Sequence, residues 1–121
     1  MSPGIVQFAN FELDRNLYEL RQEGRSVKLE RIPLDLLFLL VERRNFLVSR
    51  EEIIERIWGK AVFLDTDSAI NSAVRKIRRA LHDDADTSHF IVTVPTKGYR
   101  FVAPTRETSP QLAHGAEANA D

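Results

Sequence analysis

Hydrophobic and polar positions alternate through the first thirty residues. Phe11 and Leu13 fall on one face, Glu12 and Asp14 on the other. Tyr18 and Leu20 alternate with Glu19 and Arg21, and Val27 and Leu29 with Lys28. A period of two marks half-buried strands and Glu23-Gly24 is a turn signal, so this stretch predicts a small antiparallel sheet. From Pro33 to Arg43 the pattern changes. Leu34, Leu36, Leu37, Phe38, Leu39, Leu40 and Val41 are nearly continuous. A strand would be shorter, and a proline suits the first turn of a helix, so a buried helix is predicted. Asn45 is placed to take a left-handed conformation at its end.

Ser49-Arg50-Glu51-Glu52 has the S-x-x-E form of a capping box. The serine accepts from the backbone three residues on while the glutamate reaches back. Ile53, Ile54, Ile57 and Trp58 make an apolar stripe and Gly59 ends it, giving a second helix of about ten residues. Residues 60–66 form a connection carrying Val62, Phe63 and Leu64. A third helix starts near Thr66–Ser68, with Ile70, Val74, Ile77 and Leu81 on one face. Phe90 to Val94 and Tyr99 to Ala103 are β-branched and apolar, so Pro95-Thr96-Lys97-Gly98 predicts a four-residue hairpin loop. Residues 105–121 carry little apolar pattern and are expected to be a disordered tail or linker.

The chain has 121 residues, which suits one small domain. With 43% hydrophobic and 29% charged residues it reads as a folded, soluble chain. It has no cysteine, which excludes disulfides, thiolate zinc sites and a cysteine nucleophile, and fits a reducing compartment. No run of 18 apolar residues is present, so no transmembrane helix is expected within the chain, and Met1-Ser2-Pro3-Gly4 does not open a signal peptide. The formal net charge of −1 argues against indiscriminate binding to nucleic acid. Its distribution is more telling, because Arg75, Lys76, Arg78 and Arg79 stand within residues 71–82 with no acid among them.

On a helical wheel Ile70, Ile77 and Leu81 cluster within about 60° of Val74. Ser68, Ser72, Arg75, Lys76 and Arg79 fall on the far side, and Asn71 and Arg78 flank the apolar stripe. Small residues let a helix approach a surface closely. Arginine and asparagine match guanine and adenine edges in a major groove. Lys76 suits a phosphate as a point charge. A solvated basic face has the same composition, and on composition alone the two readings weigh about equally. A preceding helix and a following hairpin with Lys97 near its tip favour a helix-turn-helix whose third helix reads DNA.

Ser49-Arg50-Glu51-Glu52-Ile53, Ile57-Trp58-Gly59, Ala73-Val74-Arg75-Lys76-Ile77-Arg78-Arg79-Ala80-Leu81, Thr93-Val94 and Gly98-Tyr99-Arg100-Phe101 follow in this order. Together, over about residues 5–104, they resemble the effector domain of OmpR/PhoB-type transcriptional regulators. The resemblance implies an α+β fold: a winged helix-turn-helix with an N-terminal antiparallel sheet of about four strands, three helices and a C-terminal hairpin wing. It implies duplex DNA as partner, with a recognition helix at about 67–81 in the major groove and a wing at about 90–103 on the backbone or minor groove. Phe63-Leu64-Asp65-Thr66-Asp67 with Ile70-Asn71 looks more like the one-component, CadC/ToxR-like branch, whose DNA-binding domain is N-terminal. That branch implies a cytoplasmic module, free or as part of a larger membrane-anchored protein.

Carried over by position, Ser68, Asn71, Ser72, Arg75, Lys76 and Arg79 fall at reading or backbone-contact positions. Thr93, Lys97 and Tyr99 resemble wing positions, Tyr99 being equally readable as a core tyrosine. Arg100 alternates outward, within reach of phosphate. The Lys60–Asp65 loop resembles a segment through which some relatives touch RNA polymerase; a connection packing Phe63 and Leu64 on the core is the favoured alternative. Relatives imply a monomer that pairs head-to-tail on DNA. Two departures stand out: Glu30-Arg31 replace the usual Thr-Pro at the start of the first helix, and no receiver domain precedes the sheet, so no phosphoacceptor aspartate is expected.

No catalytic constellation is present, and neither an enzyme, a cofactor nor a metal is expected. His82, His89 and His114 are scattered, and Asp83, Asp84 and Asp86 lack a calcium-loop pattern, so a solvated turn is expected there. Trp58 is expected in the core. The remaining alternative to DNA binding is a protein-interaction adaptor that kept the winged-helix fold, suggested by the near-zero net charge and the apolar Val62–Leu64.

Overall fold

The computed structural model describes residues 4–59, 65–84, 86 and 88–108. These form two compact units, one of residues 4–27 with 104–108 and one of residues 28–103.

The first unit is a five-stranded antiparallel sheet. Its strands are β1 (Ile5–Phe8), β2 (Phe11–Asp14), β3 (Glu19–Gln22), β4 (Arg25–Val27) and β8 (Arg106–Thr108), in the order β4-β3-β2-β1-β8. The alternation expected of Phe11, Leu13 and Leu20 holds: all three are buried, with Leu13 opposite Leu20. Phe8 stacks on Phe11 across the β1–β2 pair, ring centroids 5.7 Å apart.

Three expectations change here. Asp14 is not on a solvated face but is 4% exposed. Its carboxylate accepts from the backbone N–H of Asn16 and Leu17 and faces Arg21 at 3.1 Å, which satisfies the buried charge. Tyr18 lies outside the strand at φ 53° and is exposed. Residues 106–108, expected within a disordered tail, pair with β1 as β8, Gln7 opposite Arg106. The edge of β1 supplies backbone partners that side-chain patterning does not reveal.

The second unit holds the helices. Helix α1 (Arg31–Glu42) buries Pro33, Leu34, Leu36, Leu37, Leu39, Leu40 and Val41, more than one face's worth, as befits a central helix. Pro33 sits in the first turn, where its missing N–H has no intrahelical acceptor to lose. No side chain caps α1 at Glu30. Asn45 takes the expected left-handed conformation, φ 72°, and donates its N–H to Phe101 O at 2.8 Å.

Strand β5 (Val48–Ser49), too short to leave a pattern, pairs with the strand Gly98–Phe101 and leads into α2 (Arg50–Ile57). Ser49 Oγ accepts from Glu52 N at 3.0 Å, but the reciprocal half of the capping box is replaced by an ion pair from Glu52 to Arg43. Gly59, φ 84°, ends the helix by donating to Ile54 O and Glu55 O. Trp58 is half-buried rather than in the core.

Helix α3 (Thr66–Leu81) packs on α1 and α2. Ile70, Val74, Ile77 and Leu81 are buried as expected, joined by Ala73. Each fully buried isoleucine or leucine contributes roughly 1.5–3 kcal/mol relative to exposure, so this stripe anchors the helix. The wing follows as β6 (Ile91–Val94) and β7 (Gly98–Phe101) in a sheet ordered β5-β7-β6. Its loop has three residues, Pro95–Lys97, rather than four, because Gly98 already pairs with Val94 and with Ser49. Lys97 N donates to Val94 O at 2.9 Å, closing a turn with Pro95 and Thr96 (φ 62°) at its centre. Gly98 is forced by crowding: a Cβ there would lie 2.0 Å from Val48 O.

Candidate nucleic-acid interface

Helix α3 is capped by Asp65, whose carboxylate accepts from the Ser68 N–H at 3.2 Å and the Ser68 hydroxyl at 2.9 Å. Those hydrogen bonds hold the Asp65 carboxyl below its usual range. Ser68, expected at a reading position, thus spends its hydroxyl hydrogen on its own cap. One turn on, Asn71 and Arg75 are exposed and Ser72 is half-exposed, with Arg79 exposed a turn later. The opposite face is fixed in the core, so this row is presented outward.

The four cations of α3 are not equivalent. Arg75 and Arg79 make no side-chain hydrogen bond or ion pair among the described residues. Lys76, expected to be available to phosphate, donates to Glu30 at 2.6 Å. That hydrogen bond, with the charge of Lys76, holds the Glu30 carboxyl below the ordinary glutamate value. Arg78, absent from the expected set, donates from one nitrogen to Ile91 O and to Thr93 Oγ1, both at 2.9 Å. It straps α3 to the wing. Thr93, expected as a wing contact, is exposed but has this bond already.

Asp83, expected in a solvated turn, does structural work at the same junction. Its carboxylate accepts from the backbone N–H groups of His89, Phe90 and Ile91 at 2.8, 3.2 and 3.0 Å. It therefore organises the entry to β6. Lys97 and Arg100 project from the wing, exposed and with no side-chain partner among the described residues. Between helix and wing lies a shallow groove of about 470 Å³, lined in part by Asn71, Arg75, Arg79, Thr93 and Tyr99.

Tyr99 resolves its two readings jointly. The residue is 4% exposed, a core tyrosine by its ring, yet its hydroxyl reaches the groove and donates to Asn71 Oδ1 at 3.1 Å. Arg50, whose part the sequence pattern did not reveal, donates to the Tyr99 oxygen at 3.4 Å and to Asp67 at 3.0 Å. Burial lowers the Arg50 pKa, but hydrogen bonds to Tyr99 and Asp67 outweigh it and leave it above the ordinary arginine value.

The loop considered for RNA polymerase contact, Lys60–Asp65, lies outside the described residues except for Asp65, the cap of α3. Among the described residues no group of His, Asp and Glu is placed to hold a metal, and no helix is long and apolar enough to cross a membrane.

A family model described as "Transcriptional regulatory protein, C terminal" matches residues 24–101. The chain is 26% identical over 105 residues to the transcriptional activator CadC of Escherichia coli K12, covering 86% of this chain and 20% of that protein. It is 29% identical over 107 residues to the cholera toxin homolog transcriptional activator of Vibrio parahaemolyticus, covering 88% and 37%. The chain thus spans between a fifth and two fifths of the length of these relatives. Among solved structures, the DNA-binding domain of E. coli CadC superimposes with a TM-score of 0.70 at 23% identity, covering 88% of this chain and 99% of that one. The Klebsiella pneumoniae RstA DNA-binding domain in complex with the RstA box does so with 0.70 at 24%, covering 81% and 96%. These likenesses place the architecture among OmpR/PhoB-type winged-helix domains.

Proposed function

The chain belongs to the transcriptional regulatory protein C-terminal family, and from that premise we propose that it binds duplex DNA sequence-specifically as the effector module of a bacterial-type transcription regulator. Helix α3 enters the major groove. The wing lies on the adjacent backbone or minor groove. The observation that carries this reading is the outward row on α3, where Arg75 and Arg79 stand uncommitted beside the Asn71 amide while the opposite face is locked in the core. Arginine forks match guanine O6 and N7. Lys97 and Arg100 are free to meet phosphates, which position the domain without specifying sequence.

One winged helix makes few phosphate contacts, so a single domain binds weakly and pairing on adjacent half-sites supplies affinity. We read the chain as a monomer in solution that pairs head-to-tail on DNA. The test is selection from a randomised duplex pool at two salt concentrations, with sedimentation of the free protein. Enrichment of a motif, repeated about one helical turn apart, with affinity falling as salt rises, is the expected result. Absence of binding at either salt overturns the reading in favour of a protein-interaction adaptor, and a tight dimer without DNA overturns the assembly.

A further inference from the structure

Arg50, Tyr99 and Asn71 form a chain of hydrogen bonds that runs from the guanidinium through the phenol to the amide oxygen. A guanidinium only donates, so the 3.4 Å contact from Arg50 Nη1 makes the Tyr99 oxygen an acceptor. The hydroxyl donates its single hydrogen to Asn71 Oδ1, 3.1 Å away. The amide is therefore oriented with Oδ1 toward the buried tyrosine. Its Nδ2 has no partner among the described residues and is left for the groove. Tyr99 is held by its buried ring, and Arg50 is held in turn by Asp67 at 3.0 Å, so neither partner is free to swing away.

We propose that Tyr99 and Arg50 are positioning residues that set the specificity of Asn71. They commit its amide to donate, so that α3 favours an edge that only accepts, guanine N7/O6 or thymine O4, over adenine, whose N7 accepts but whose N6 amino group would face the donating nitrogen. An unconstrained asparagine favours adenine, pairing its oxygen with the N6 amino group and its nitrogen with N7. Here the oxygen is turned toward the tyrosine hydroxyl, so the nitrogen leads into the groove. This rests on the DNA-binding reading above and deepens it.

The full chain is tested as wild type, Asn71→Ala, Tyr99→Phe, Arg50→Met and the Asn71→Ala/Tyr99→Phe double variant, each by selection and sequencing from a randomised duplex pool. Wild type is expected to enrich a motif with one guanine- or thymine-preferring position that Asn71→Ala erases. Tyr99→Phe keeps the buried ring and should lower the preference at that one position about fivefold or more, the other positions unchanged. The double variant should do no more than Asn71→Ala. Arg50→Met, which frees the tyrosine hydroxyl to rotate, should act in the same direction, and it carries the test if Tyr99→Phe does not fold. A Tyr99→Phe motif identical to wild type, a uniform loss across all positions, or adenine at the Asn71-sensitive position overturns the positioning role and leaves DNA binding standing. A wild-type chain that enriches no motif overturns both.

Discussion

The Lys76 ammonium stands 2.6 Å from the Glu30 carboxylate, tying the outer face of α3 to the residue that precedes α1. The pair is a competitor for DNA. A phosphate approaching Lys76 must displace Glu30 or share the lysine with it, so part of the local positive charge is withheld in the free protein. Glu30→Gln should release it. Affinity for duplex should rise, and the slope of log K against log salt should steepen by about one contact. Fluorescence anisotropy across a salt series measures both. The pH dependence follows from the lowered Glu30 pKa. The pair's contribution to stability is complete above the unfolded glutamate value of 4.5 and is lost as pH falls through the lowered folded value. Acid titration of the thermal midpoint should therefore differ between wild type and Glu30→Gln only above that lowered value, the two curves converging in acid.

The three arginines of α3 should separate by role. Arg75→Ala and Arg79→Ala remove side chains with no partner among the described residues, so the melting temperature should hold while specific binding weakens by about 1–3 kcal/mol for a lost base contact. Arg78→Ala should cut the strap to Ile91 and Thr93, lowering stability as well as binding. Paired thermal melts and anisotropy titrations distinguish the two patterns. Equal loss of stability in all three would refute the division.

Gly98→Ala should be the most damaging small substitution in the wing. Its Cβ would lie 2.0 Å from Val48 O, a backbone atom that moves only if β5 separates from β7. Forced crowding of this kind typically costs about 1–3 kcal/mol. Urea unfolding would read it as a lowered midpoint with little change in slope.

Asp83→Ala removes one carboxylate that the backbone N–H groups of Asp84, His89, Phe90 and Ile91 share. Hydrogen bonds to charged groups contribute about 1.5–3 kcal/mol each when a partner is removed, with some recovery from water at this half-exposed site. Amide exchange at His89, Phe90 and Ile91 should accelerate while that of Ile77, deep in α3, changes far less. Uniform acceleration across both segments would mean that Asp83 supports the whole domain rather than the wing entry.

Much of the helical unit was legible from spacing. The stripe Ile70, Val74, Ile77, Leu81 needs only the 3.6-residue period to face one way, and burial of all four follows. Ser49 took its cap because that hydrogen bond spans three positions, whereas Asn45, left-handed as its residue type favours, is fastened by the distant Phe101 O. The outward placement of Arg75 and Arg79 follows from the same period. The ordered motifs likewise pointed to the family that the profile match establishes.

Pairings across the chain were not legible. Strands β5 and β8 have two and three residues, too few for a pattern, and exist because β7 and β1 offer unpaired backbone edges. Lys76 reads like Arg75 and Arg79 in sequence and Arg78 only flanks the apolar stripe, yet Glu30, 46 positions away, holds Lys76, and Thr93, 15 positions away, holds Arg78. Tyr99 was readable two ways because its ring and its hydroxyl meet different environments, and Arg50, 49 positions away, donates to the hydroxyl oxygen. Local periodicity determined which helix face would be solvent-exposed, since that depends only on neighbours along the chain. Tertiary contact decided which groups on that face remained free, because a hydrogen-bond partner is chosen by distance in space, which spacing along the chain does not encode.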